Sequence, residues 1–418
     1  MIMVRKWILN ALYAVIFEHA YSNLYLKQNL HQVKEKDRKL ATQIFYGTLQ
    51  NYRYCEAIWK QHANTKQKVP LKIKILLTMS VYQMLFLKKV PSYAIIDEAV
   101  EIAKQTKVHT AGFVNAILRK VEKDPSLPKQ DPQHTLALRY SLPDWLIKMW
   151  IHQYGEQKTE EIAKASNASL PLSIRRNLID TSEDEIRSLS VMELLQDPIY
   201  LYSGGAIYEN PYYSQGKISI QDAGAYEIVR FLNPQKEERI LDTCAAPGTK
   251  TMAIAERIEG TGEITALDLH AHRVQLIEND IERLHLHNVI AQQQDASDLE
   301  GFGLYDRVLC DVPCSGYGTL SRKPDIKLEM KPEDMDSLIP LQYKILEEGA
   351  KHVKNEGILV YSTCTLNKKE NEKQIERFLK AHNDFEKVDE KTLFPTSIHN
   401  GFYMAKLKRK EDVHEKHL

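Results

Sequence analysis

The chain has 418 residues, 43% hydrophobic and 27% charged, which is more than one typical core and calls for roughly two to three domains. No run of eighteen apolar residues occurs, so a helical membrane span is excluded, and five cysteines without an export signal argue for reduced thiols in the cytoplasm rather than a disulfide framework. The net charge of zero hides an asymmetry: residues 1–140 hold 22 Lys and Arg against 10 Asp and Glu, a net of +12, and the rest carries −12. Such a basic third suits a phosphate-rich partner, and suits a solvated helical surface about as well.

Residues 1–125 read as helices only. Apolar residues recur every three or four positions in WILNALYAVIFEHAY, LATQIFYGTLQNY, LKIKILLTMSVYQMLFL and IIDEAVEIAKQ. Pro70 and Pro91 stand where helices begin, and AGFVNAILRKVEK makes a last helix. The tract DPSLPKQDPQ, residues 124–133, has three prolines and predicts a linker. Residues 134–215 predict a small α+β module. LPDWLIKMWIHQYG and KTEEIAKASN are helical in pattern, LPLSIRRNLI is a strand, TSEDEIRSLS opens with an N-cap, and IYLY and GAIY are extended.

From residue 216 to 410 the pattern alternates strand and helix. The strands are ERILDTC, GEITALDL, VIAQQQD, YDRVLCDV and GILVYSTC; the helices are GTKTMAIAERI, HRVQLIENDIERLHL and LIPLQYKILEEGAKHV. This predicts an α/β Rossmann-like domain, a parallel sheet covered on both faces, with ligands beyond the carboxyl ends of its strands. Asp242, Asp268, Asp295, Asp311 and two cysteines, Cys314 and Cys364, fall at or just beyond such ends.

The first strand runs into DTCAAPGTKT, a turn of small residues opening a helix, where backbone amides can approach a ligand. Neither GxGxxG nor GxxxxGK[ST] is present, so the loop is not built for pyrophosphate or triphosphate. Asp268 is set to accept from ribose hydroxyls and Asp295 to reach an adenine edge. Each aspartate alone reads more simply as a cap; together they predict a nucleoside without phosphates, and S-adenosylmethionine is the obvious candidate. The expected binding set is Cys244, Ala245, Ala246, Pro247, Gly248, Thr249, Lys250, Asp268, Asp295 and Asp311. The cysteines show no CxxC pair and no nearby CxxH, so no metal site is expected. Cys310 reads as a small core hydrophobe, Cys55 as structural, and Cys244 as a backbone contributor.

LDTCAAPGTKT, DVPCSGYGTLSRKPDIK, YSTCTLNKKENE and GFYMAKL together resemble the Sun (Fmu, RsmB-type) family of bacterial cytosine-C5 methyltransferases of 16S ribosomal RNA. DRKLATQIFYGTLQNYR and PSYAIIDEAVEIAKQTKVHTAGFVNAILRKV resemble its NusB-like RNA-binding domain. The family usually has a second glycine where Thr249 stands, and often an aspartate at Asn400.

C5 of cytosine is a weak nucleophile, and a thiolate added at C6 makes it enamine-like; this is covalent catalysis. The resemblance assigns that thiolate to Cys364 and product release to Cys314. DNA cytosine methyltransferases attack instead with the cysteine of their PC motif, so motif position alone does not decide the roles. Asp311 is expected at cytosine N3 and the amino group, its pKa raised by burial and nearby carboxylates. Lys250 is expected to orient the methionine carboxylate or the base, and to lower a nearby thiol pKa. The target base must be single-stranded or flipped, with phosphates anchored by the basic first domain. Arg175 and Arg176 read equally as RNA-groove residues of the middle module or as solvated arginines; Arg322 and Lys323 are the better phosphate contacts. The implied partner is 16S rRNA, free or in an assembling small subunit, engaged by a monomer without membrane or metal. The alternatives are a non-catalytic RNA-binding assembly or antitermination factor, and the same chemistry on tRNA.

Overall fold

The computed structural model describes residues 2–63 and 68–411, so residues 1 and 64–67 of the expected helical domain lie outside the described residues. The described residues pack as two compact units, those up to 168 with 320–331, and 169–319 with those from 332 to 411.

The first unit is all helix. Pro70 and Pro91 cap the helices Leu71–Phe86 and Ser92–Lys107, because a proline's fixed φ and missing N–H cost nothing before the first turn. Leu71–Phe86 buries every residue from Ile73 to Gln83 except Lys74, the signature of a helix enclosed on all sides. Ile8, Leu12, Phe45, Trp59, Leu76 and Ile96 pack in this core, with Cys55 fully buried among them. Trp59 meets its polar need by donating Nε1–H to Thr78 Oγ1 at 2.9 Å. The linker ends at Asp131, whose carboxylate accepts from His134 N at 2.9 Å and caps the helix Pro132–Arg139. That helix, with Asp144–Tyr154 and Glu156–Ser166, groups with the first unit rather than with the strands of the expected 134–215 module. The segment 320–331 joins the same unit, where buried Lys327 donates Nζ–H to Asn167 Oδ1 at 2.8 Å. Arg322 and Lys323 lie in that segment.

The second unit holds two sheets. Strands β1 (Leu172–Arg176), β2 (Met192–Gln196), β3 (Ile199–Tyr202) and β4 (Ile218–Ile220) form an antiparallel sheet in the order β2-β3-β1-β4. Ser182 caps the expected helix, Glu183–Arg187. GAIY is not extended: Ile207–Glu209 closes a 3-10 turn, and Asn210 then caps a short helix opened by Pro211.

The larger sheet contains β5 (Arg239–Asp242), β6 (Glu263–Asp268), β7 (Val289–Gln293), β8 (Tyr305–Asp311), β9 (Val353–Thr363), β10 (Phe385–Leu393) and β11 (Phe402–Arg409). Its order is β10-β11-β9-β8-β5-β6-β7. The five expected strands pair in parallel, and β10 and β11 add an antiparallel edge. β10 escapes a periodicity reading because only Phe385 is buried and the exposed residues of both its faces are mostly charged. The chain order reverses direction beside β5, with β6 on one flank and β8 on the other. In open α/β sheets that switch point opens the ligand crevice, and the segments after β5 and β8 both flank it. Among the described residues, no helix is long and apolar enough to cross a membrane.

Candidate functional site

β5 ends at Asp242, and the loop 243–248 turns the chain into the helix Thr249–Arg257. Gly248 takes the left-handed position, φ +102°, as the N-cap, so Thr249 is an ordinary first helical residue and needs no positive φ. The Ala246-Pro247 bond is cis. Ala245 N–H donates to Leu267 O at 2.7 Å, which ties the loop to β6. Arg273 completes this corner: it donates to Ala246 O at 2.9 Å and stands 3.3 Å from the Asp268 carboxylate. Asp268 also accepts from His270 N at 3.1 Å. Asp295, beyond β7, accepts from Ser297 N at 2.8 Å, and its hydrogen bonds from Ser297 hold its carboxyl below the usual range.

Asp242 is buried. Its Oδ2 accepts from Thr251 Oγ1 at 2.7 Å, while its Oδ1 has no hydrogen-bond partner among the described residues. Burial pushes its pKa up to about 6, against the pull of the Thr251 bond. The folded state therefore holds this proton more tightly than the unfolded chain does. Ionising Asp242 costs stability as the pH rises from about 3.8 to about 6. Asp242→Asn removes that cost. The stability advantage of the variant over wild type is expected to grow between pH 4 and 7 by about 3 kcal/mol at most, read from urea unfolding. A gap that shrinks with pH would refute the assignment.

β8 and β9 lie side by side with Asp311 opposite Ser362. That register sets Cys314 beside Cys364, their sulfurs 3.3 Å apart. Ser362 donates Oγ–H to Asp311 Oδ1 at 2.7 Å, and Lys250 reaches Asp311 Oδ2 at 2.6 Å. Burial pulls the Lys250 ammonium down most of any single cause, but the charge and hydrogen bond of Asp311, with Asp242 and Cys364, together outweigh it. Lys250 thus sits above its ordinary pKa and stays charged. The environment expected for Asp311, burial among carboxylates, omits this ammonium. Cys314 lies well above the usual thiol range, first through its hydrogen bond with Cys364 and then through burial.

The other sulfurs stand apart from this pair. Burial raises the Cys244 thiol well above its usual range and pushes Cys310 up to about 12, and Cys310 is fully enclosed. Among the described residues no group of His, Cys, Asp and Glu could hold a metal ion. Asn400 donates Nδ2–H to Asp222 Oδ2 at 2.8 Å, a contact that an aspartate at 400 would turn into repulsion.

The solvated reading of Arg175 and Arg176 requires a correction, because both are buried. β1 runs through the interior of its sheet, and Arg175 is fully buried against Glu256 at 2.6 Å, Thr249 O at 3.1 Å and Gln221. Arg176 binds Thr181 O at 2.6 Å and Asp197 at 2.9 Å. Arg273, Ser362, Gln342 and Glu370 also belong to this region, and no sequence motif singles them out. Ser362 and Glu370 flank Cys364 within YSTCTLNKKENE, and that proximity was the available signal.

Residues 229–411 match the model of the family described as 16S rRNA methyltransferase RsmB/F. Residues 3–123 match the NusB family, and residues 142–193 match an RsmF/B-like ferredoxin-like domain. A probable ribosomal RNA small subunit methyltransferase B of Bacillus subtilis is 39% identical over 92% of this chain and 89% of its own length. The corresponding Synechocystis protein is 34% identical over 91% and 93%. The crystal structure of PH0851 shares the fold, with a TM-score of 0.79 at 23% identity over 97% of this chain and 98% of that one. At this identity and coverage, the chain belongs to the ribosomal RNA small subunit methyltransferase B family, a methyltransferase joined to a NusB-family helical domain.

Proposed function

We propose that this protein methylates C5 of a cytosine in 16S rRNA, using S-adenosylmethionine and a covalent bond between Cys364 and C6 of the base. The observation that carries the reading is the pair of sulfurs 3.3 Å apart beside the Lys250–Asp311 ion pair.

The residues around β5 and β6 fit the methyl donor. Asp268 and Asp295 offer carboxylate acceptors, the Ala245–Gly248 loop carries little side-chain bulk, and Asp242 Oδ1 is a buried acceptor lacking a donor. Cys244 to Lys250, with Asp268, Asp295 and Asp311, would hold it; when bound, it supplies a methyl on a sulfonium to the C5 carbon.

The protein's own part begins at the thiols. Cys314 keeps its proton and shares it with Cys364, and the Lys250 ammonium favours negative charge on the Cys364 sulfur. That sulfur bonds to C6, and the C5–C6 electron pair shifts through C4 to N3. The Lys250–Asp311 pair supplies a proton at N3 and takes it back after C5 has been methylated. Once Cys364 is bound to carbon, the charge that held the Cys314 proton is gone. Cys314 can then release that proton to solvent and accept the one on C5. The freed electron pair restores the C5–C6 double bond and expels the Cys364 thiolate.

The basic helical domain suits rRNA phosphates, five free thiols suit a reducing cytoplasm, and one chain carries every group used, so a monomer suffices. Incubation with methyl-labelled S-adenosylmethionine and small-subunit particles at successive assembly stages is expected to put label into 16S rRNA as 5-methylcytosine. Label in tRNA alone would redirect the chemistry, and label in no RNA would favour an RNA-binding assembly factor.

A further inference from the structure

We infer that Glu370 is a positioning residue that locks the Cys314 loop to the Cys364 loop; this rests on the covalent reading above. Glu370 is fully buried just ahead of the helix Glu372–Ala381. Its carboxylate accepts four hydrogen bonds from neutral donors. Oε2 takes Ser315 N–H and Gln342 Nε2–H, both at 2.9 Å; Oε1 takes Ser315 Oγ–H at 2.5 Å and Asn367 Nδ2–H at 3.0 Å. Gln342 also donates to Pro313 O at 2.9 Å, so both chain neighbours of Cys314 are tied to this one group.

The tie continues to the second thiol. Ser315 Oγ lies 2.7 Å from Thr365 Oγ1, next to Cys364. Ser315 has one hydroxyl proton and gives it to Glu370, so Thr365 must donate to Ser315. Thr365 Oγ1 in turn accepts Tyr317 N–H at 3.3 Å, and Gly318 N–H donates to Cys364 O at 2.9 Å. From Tyr317 N–H through Thr365 and Ser315 the donors all point towards the carboxylate, which only accepts. Glutamine has the same shape but a single acceptor oxygen. Each carboxylate oxygen receives two donors, so either orientation of the amide turns its NH2 against two of them. Buried donors left unpaired are costly, and the loops would shift to find partners.

The full-length chain tests this in single turnovers with small-subunit rRNA and S-adenosylmethionine, following the RNA–protein adduct on denaturing gels. Glu370→Gln is expected to slow both formation and release of the adduct by about 30-fold, equivalent to about 2 kcal/mol. The KM for S-adenosylmethionine should stay within about twofold, because the donor loop makes no bond in this network. Ser315→Ala should act in the same direction by about tenfold, Ser315→Thr should recover most of the rate by keeping the hydroxyl, and the double variant should be no worse than Glu370→Gln alone. If Glu370→Gln fails to fold, the two Ser315 variants decide the matter. Wild-type adduct with unaltered variant kinetics would overturn this inference alone. No adduct in either the wild type or Cys314→Ser would overturn the covalent reading and this inference with it.

Discussion

Replacing Cys364 with alanine is expected to abolish methyl transfer, by about 10⁴-fold or more, equivalent to at least about 5.5 kcal/mol of transition-state stabilisation. Without a sulfur at this position nothing adds to C6, and C5 keeps the low reactivity of an aromatic carbon. The neighbouring thiol is a poor substitute. Cys314 holds its proton, and its loop is fixed through Ser315 and Pro313. The Cys364 side chain is half-buried at the end of an edge-supported strand, so its loss should lower the melting midpoint by only a few degrees. Equilibrium dialysis should show unchanged binding of S-adenosylmethionine. An alanine variant that methylates near the wild-type rate would end the covalent proposal.

Cys314→Ser is expected to separate addition from release. A serine hydroxyl is far less acidic than a thiol, so it cannot accept the C5 proton once the adduct has formed. The variant should transfer about one methyl per enzyme and then stall, with turnover reduced by about 10²–10³-fold. RNA bound to protein should survive denaturing electrophoresis, and adding Cys364→Ala should eliminate it. Adduct in the Cys364 variant and none in the Cys314 variant would reverse the two roles. Release at the wild-type rate from Cys314→Ser would assign the C5 proton to another group.

Much of this was readable one segment at a time. The helices of the first unit and the five parallel strands announce themselves because burial imposes a period on a local stretch of chain. The antiparallel edge is harder to see, since β10 buries only Phe385 and its other residues are exposed or half-buried and mostly charged, with no apolar alternation. Arg175 misled for a related reason: an arginine in a strand looks solvated until the fold supplies its carboxylate, and Glu256 lies 81 residues away. Glu370 carries no local signal in NKKENE, and its meaning comes from Ser315, 55 residues earlier.

The order of amino acids on its own specified the helical and βα segments, the carboxylates at strand ends, the small-residue turn after β5, and two cysteines at or just past strand ends. All of these are consequences of neighbours along the chain. The 3.3 Å meeting of Cys314 and Cys364, the Lys250–Asp311 pair, the buried Arg175 and the carboxylate hub at Glu370 were decided by tertiary structure. Each depends on which strands lie side by side and in what register. Pairing Asp311 with Ser362 joins residues 51 apart, and long-range pairing is settled by packing across the whole sheet, for which no local pattern is a code.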